Sequence, residues 1–496
     1  MSDIDRKIAT GAAWMVAFKL IDRSLGLVST IVLARLLAPA DFGLVAMATV
    51  IIAAMQLLVA FGLDVSLIQN QRAGRAEFDT AWTINLLFGL LAAALIAALG
   101  RPAALYYHDA RLEAVVYVLA IGFAVQAFAN IGPVTFRREM NFRKEFNFLL
   151  AKRVALLGVT IPLAFMLRNY WALVAGQLVG ALISVLLSYM ASSYRPRLSL
   201  VAKAELFHHS KWLMLNNLTY FLNMRSAEFF VGRMLGAPAL GVYTIAYEVA
   251  TLPTTELVAP INRAAFPGYT KVAGDLPQLQ RSFLNVIGMI ALFGLPAGIG
   301  IAAVADLMVP AVLGDKWLPA IPLMQVLAVY GALQALHSNI TYIYMALGRM
   351  HLVGLLGLGQ FLLLAIGLVT GMRYWGLNGA AWAYVMATVL MLPVTKWLLG
   401  RCLQLPLRAL LAHVWRPLAA SLLMAGAVLA LKWALPTPQG TAALLTTLLA
   451  AVALGALVYG VACEVLWRSA GRPASSEAVV RQKLQALLQR LWRKVR

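Results

Sequence analysis

Long apolar stretches alternate with short polar connections along the whole chain. Each stretch runs for about twenty residues, enough for a helix to cross a hydrocarbon core of about 30 Å. Inside lipid the backbone amides must be satisfied within their own segment, and these stretches lack the polar alternation of barrel strands. The pattern therefore predicts an all-α polytopic membrane protein. Fourteen spans are expected, near 12–35, 43–66, 80–100, 112–132, 147–167, 171–193, 208–232, 239–261, 283–305, 320–346, 350–371, 375–398, 412–432 and 442–466. The first apolar run starts near Ala12 and is interrupted by Lys19, Asp22 and Arg23. No processing site follows it, so it reads as a retained helix and not a signal peptide.

Composition agrees with this pattern. The chain is 62% hydrophobic and 12% charged, against about 25% charged in soluble domains. A net charge of +21 could suit nucleic acid, but the basic residues gather in alternate connections. With the N-terminus in the cytoplasm, 25 lysines and arginines fall in cytoplasmic segments and 8 on the opposite face. That bias predicts that both termini are cytoplasmic, and it removes nucleic acid as a partner. The longest external connection, 306–319, is too short to fold alone. This argues against a membrane glycosyltransferase or polysaccharide polymerase, which would carry larger external loops or catalytic carboxylates there.

Motifs for chemistry are missing. The sequence holds no Gly-x-x-x-x-Gly-Lys-[Ser/Thr], no His-Glu-x-x-His and no Gly-x-Ser-x-Gly. Cys402 and Cys463 offer neither a disulfide framework nor metal spacing. Neither enzyme chemistry nor a cofactor is expected. The paired His208-His209 sits at a membrane edge.

The chain repeats itself. Arg35-Leu-Leu-Ala-Pro-Ala-Asp-Phe-Gly43 closes the first span and Arg233-Met-Leu-Gly-Ala-Pro-Ala-Leu-Gly241 closes the seventh, 198 residues later. Six spans lie between the copies, so both run the same way through the membrane. Parallel repeats place substrate sites at their interface near the midplane.

Charges inside spans are the candidates for function, because each costs about 2.5–3.5 kcal/mol at the bilayer centre on insertion scales. Lys19, Asp22 and Arg23 share one face of span one; Arg225 and Glu228 lie one turn apart in span seven, and Glu248 lies in span eight. Internal pairing, Lys19 with Asp22 and Arg225 with Glu228, fits the same spacings and leaves Arg23 over. Lys152 and Arg153 are expected to snorkel at the cytoplasmic start of span five. Asp41 is expected to cap span two. In the tail, Val480, Leu484, Leu487, Leu488, Leu491 and Val495 recur at helical spacing between basic residues. That predicts a helix lying on the anionic inner leaflet and dispensable for the spans.

Several stretches resemble the polysaccharide transporter family, the oligosaccharide flippases of the MOP exporter superfamily, in its colanic-acid-exporter-like branch. They are 34–47, Phe61-Gly-Leu-Asp-Val-Ser-Leu-Ile-Gln69, 232–243, Ala246-Tyr247 and Phe266-Pro267. The resemblance covers most of residues 1–400 and fades over the last two spans. It implies two six-helix lobes in a V around a central cavity (1–199 and 200–401), two added helices (402–467) and a cytoplasmic basic tail (468–496). It also implies translocation of an undecaprenyl-pyrophosphate-linked sugar repeat for exopolysaccharide, capsule or O-antigen across the inner membrane. Partners would be that lipid-linked oligosaccharide, membrane lipids, and a polymerase or glycosyltransferases. The motifs describe turns and packing and transfer no binding residue. From the charges themselves, Lys19, Arg23 and Arg225 are candidate pyrophosphate contacts, and Asp22, Glu228 and Glu248 candidate coupling carboxylates. A cation-coupled multidrug or metabolite antiporter of the same superfamily is the competing reading. It would favour lone acidic residues over this cationic excess.

Overall fold

The computed structural model describes residues 3–59, 73–201, 211–436 and 440–473, with 63, 67, 68, 70, 438, 475–478, 480–482, 485 and 489 besides. Most of the 61–69 stretch, Arg72, Lys203, His208-His209 and most of the amphipathic tail lie outside these. Among the described residues every regular element is a helix. In chain order they are α1 (Asp3–Leu36), α2 (Pro39–Val59), α3 (Arg75–Ala98), α4 (Gly100–Tyr107), α5 (Arg111–Ala127), α6 (Val134–Arg138), α7 (Phe142–Leu167) and α8 (Trp171–Ala191). Then come α9 (Lys211–Ala250), α10 (Ala259–Lys271), α11 (Leu276–Met308), α12 (Ala320–Ala346), α13 (Met350–Leu403), α14 (Leu407–Ala434) and α15 (Thr441–Ser469).

Ten helices among the described residues are long and apolar enough to cross a membrane. Two of the ten are double length. The one over Asn217–Lys271 turns at Gly236, whose φ of 77° is open to glycine without strain, and Pro238 follows. The other, α13, breaks at Trp375 and Gly376. Counting their halves separately and adding α1, with three charges in its middle, and the 17-residue α5 gives fourteen crossing segments. The all-α polytopic fold expected from the hydrophobic pattern is what the chain adopts.

Contacts divide the chain into two compact units. The first joins Met1–Lys211 to Val231–Gly241. In it α1 packs on α7, α7 on α8, and α5 on α2, α3 and α8. Asp41 accepts hydrogen bonds from the Ala38 amide at 2.8 Å and the Tyr170 amide at 2.9 Å. It thus closes the start of α2, as expected, and also fixes where α8 begins.

The two sequence copies meet inside this unit. A side chain at Gly43 would come within 1.8 Å of the Ala237 carbonyl oxygen, and one at Gly241 within 1.7 Å of the Pro39 carbonyl oxygen. The 198 residues that separate Gly43 from Gly241 also separate Pro39 from Ala237. Each copy therefore presents the same glycine to the same carbonyl of the other, the reciprocity of a local two-fold axis.

The second unit joins Trp212–Phe230 to Val242–Arg496. α11 is its hub, packed against α12, α14 and α15. A core of Tyr269, Phe283, Ile287, Tyr344 and Leu403 fills the space among α10, α11, α12 and α13. The start of the tail is fastened to this unit. Arg416 Nε donates to Glu477 Oε1 at 2.8 Å, with side chains 7% and 11% exposed. The Ser476 hydroxyl donates to the Asn285 carbonyl at 2.8 Å, and Arg481 lies 5.0 Å from the Trp467 ring centre. These attachments qualify the expectation of a dispensable surface tail, because Glu477 neutralises a buried arginine of α14.

Candidate functional site

Asn141 caps α7 by accepting from the Lys144 amide, so the helix starts at Phe142. Lys152 and Arg153 consequently sit about 15 Å along it. Ten residues of helix thus precede them, and Arg153 turns to a carboxylate of α1. Arg153 Nε lies 3.0 Å from Asp22 Oδ1, halfway along α1. Gly26, one turn on from Asp22, leaves room for the guanidinium, which a side chain there would meet at 2.7 Å. Asp22 is thereby paired across two helices and not with Lys19 one turn earlier. Lys19 is exposed and Arg23 half-buried.

Two cavities carrying polar side chains open within the first unit, one of them on this pair. One, of about 490 Å³, is walled by Asp22, Gln56, Arg153 and Gln177. The second, of about 420 Å³, is walled by Asn85, Asn130, Arg137, Glu145 and Ser188. They share Gln126, Lys152 and Ser184 at their junction. Glu145, itself buried, is neutralised by Arg137. Lys152 Nζ lies 5.2 Å from the Phe148 ring centre. Among the described residues it has no carboxylate within ion-pair distance. The side-chain amides of Gln56, Gln126 and Gln177 likewise make no hydrogen bond to another described residue. Three cations thus face two carboxylates around an amide-bearing space. Such a space can hold an anion bearing hydroxyl groups.

In the second unit Arg225 Nη1 donates to Glu228 Oε1 at 2.9 Å, so the internal pair allowed by their spacing forms. Glu228 is 8% exposed. Tyr243, Tyr247, Tyr330 and Tyr384 pack together there with ring centres 5.1 to 6.3 Å apart. Glu248 is half-buried. Of the six candidates, Asp22 is the one that lines the cavities of the first unit. Sequence reasoning passed over Lys152 and Arg153 by placing them at a helix end, and it did not single out the glutamines. The available signal was glutamine in otherwise apolar runs at 56, 126 and 177.

The family described as "Polysaccharide biosynthesis protein" matches residues 32–322. The teichuronic acid biosynthesis protein TuaB of Bacillus subtilis (strain 168) is 26% identical over 410 residues, 82% of this chain and 84% of that one. The lipopolysaccharide biosynthesis protein WzxC of Escherichia coli (strain K12) is 26% identical over 392 residues, 77% of this chain and 79% of that one. Among solved structures, the lipid II flippase MurJ in an inward closed conformation superposes with a TM-score of 0.72. The match spans 93% of this chain and 100% of that one at 12% identity, so it speaks for the fold alone. With more than half of its length matched by the family, the chain belongs to the polysaccharide biosynthesis protein family that its own motifs resemble.

Proposed function

We propose that this protein is a flippase carrying an undecaprenyl-pyrophosphate-linked oligosaccharide repeat unit across a bacterial inner membrane, for exopolysaccharide, capsule or O-antigen synthesis. Membership of a polysaccharide biosynthesis family supports the saccharide, and the fold shared with a protein named as a lipid II flippase supports the movement. The observation that carries the reading is the cation-bearing, amide-lined interior of the first unit. Moving a sugar and a pyrophosphate through hydrocarbon strips strongly hydrated groups of water at prohibitive cost. Fixed cations and amides replace that water, while a lipid tail can remain in the bilayer. In this reading Lys19, Arg23 and Arg225 remain candidate anion contacts outside those cavities, and Asp22, Glu228 and Glu248 candidate coupling carboxylates. Both termini face the cytoplasm, residues 1–199 and 200–401 act as the two lobes, and 468–496 meets the inner leaflet. The glycosyltransferases that build the unit and the polymerase that consumes it are the partners.

Deleting the gene tests this directly. Surface polymer should disappear while the lipid-linked unit accumulates on the inner leaflet. Normal polymer together with new sensitivity to cationic drugs would instead support the antiporter reading.

A further inference from the structure

We propose that the joined cavities of the first unit bind the phosphate and the adjoining sugar of the transported lipid-linked saccharide. Lys152 is the standing anion contact, and Arg153 is released to the ligand by Asp22. The inference rests on the flippase reading and deepens it by naming the part of the substrate and the residues.

Four observations converge on it. The volumes, about 490 and 420 Å³, fall within the usual range for small-ligand pockets, about 300–1,000 Å³. The walls carry one more cation than carboxylate, so one anionic charge completes them. Lys152 stands at the junction of the two spaces, about 15 Å from the start of the 26-residue α7 and about 22 Å from its end, with an aromatic ring and, among the described residues, no carboxylate beside it. Gln56, Gln126 and Gln177 line the same space, and their amides bond to no other described residue. Each amide offers two donors and an acceptor, the complement of sugar hydroxyls.

Asp22 gives the site a built-in competitor. Its carboxylate holds Arg153 at 3.0 Å, and an arriving phosphate is a second acceptor for the same guanidinium, able to take it bidentately. A protein phosphate site filled permanently by its own carboxylate would not turn over; one half-filled, with Lys152 open, admits the ligand and lets it leave. The shared chemistry, a phosphate ester near hydroxyl groups, also occurs in anionic phospholipid headgroups. The amides favour the sugar-bearing ligand, because a phospholipid headgroup leaves most of them unused.

The test uses the purified full chain in detergent and three probes: farnesyl-pyrophosphoryl-N-acetylglucosamine, farnesyl pyrophosphate and phosphatidylglycerol. Titration calorimetry should show the sugar-bearing probe binding most tightly. Lys152→Gln should weaken both farnesyl probes about tenfold or more, as expected for one charge-assisted hydrogen bond. Lys152→Arg should restore most of that affinity. Gln126→Leu combined with Gln177→Leu should weaken the sugar-bearing probe and leave farnesyl pyrophosphate nearly unchanged, which keeps the test alive if Lys152→Gln does not fold. Asp22→Asn should tighten farnesyl pyrophosphate. Unchanged affinities in well-folded Lys152→Gln protein overturn the proposal, as does phosphatidylglycerol binding as tightly as the sugar-bearing probe and falling in parallel with it. Binding to purified protein is independent of export. Normal polymer in the gene-deleted cell would count against the flippase reading and leave this result standing.

Discussion

Asp22 and Arg153 illustrate how little a span's charges disclose about their own partners. The i, i+3 spacing puts Lys19 within reach of Asp22 on one helix face, yet the carboxylate takes an arginine from α7. The planar fork of a guanidinium matches a carboxylate, whereas the lysine ammonium is a strongly hydrated point charge. Their side chains are 41% and 28% exposed, and both residues line a cavity. An ion pair this open contributes about 1 kcal/mol or less. Arg153→Ala is therefore expected to leave the melting temperature in detergent nearly unchanged while lowering export. A large thermal loss would mean that the pair is structural. Arg23→Ala is expected to abolish export at near-normal abundance, with Arg23→Lys partly active, since a phosphate accepts a point charge. Full export by Arg23→Ala protein at normal abundance would remove Arg23 from the anion path.

At the scale of elements, glycine contacts and the tail make separable predictions. A methyl group at Gly43 or Gly241 runs into a carbonyl oxygen of the other copy, and overpacking of this kind costs about 1–3 kcal/mol. Because the contacts are reciprocal, Gly43→Ala and Gly241→Ala should lower thermal stability by similar amounts. Gly268, with open space where a side chain would go, supplies the control. Gly268→Ala in α10 should be neutral or stabilising, by up to about 1 kcal/mol. A loss at one repeat glycine only would break the two-fold reading.

The tail responds to acid. Burial raises the Glu477 carboxyl, but hydrogen bonds from Arg416, Ser475 and its own backbone outweigh this and leave it below the ordinary glutamate value. A carboxyl lowered by folding stabilises the docked form fully above its unfolded value, about 4.3, and loses that contribution as pH falls through the lowered one. Protease protection of residues 475–482 should therefore persist from neutral pH to about pH 5 and fade below about pH 4. Glu477→Gln should remove it at neutral pH and cost about 3–5 kcal/mol, since Arg416 keeps its charge in a buried place. Protection unaffected by either change would show that Ser476 and Trp467 hold the tail without the ion pair.

For the molecule as a whole, orientation is the accessible question. Reporter fusions after residue 496 and within 306–319 should report opposite sides of the membrane, with the C-terminus cytoplasmic. Matching signals would overturn the count of crossings. That count came from composition and run length, because hydrocarbon admits no backbone group unsatisfied and so leaves an apolar run of twenty residues one conformation. The repeat was legible too, since glycine and proline at helix ends meet local demands that do not depend on distant residues. The candidate site was not. Gln56, Gln126, Lys152 and Gln177 lie on four different helices, and what they share is a cavity that exists after those helices pack. Lys152 and Arg153 read as edge residues because the carboxylate and the cavity they meet belong to other helices. Local sequence thus determined the helices, their number and the family. The tertiary structure alone decided which charges face each other, because electrostatic partners are set by distance in space.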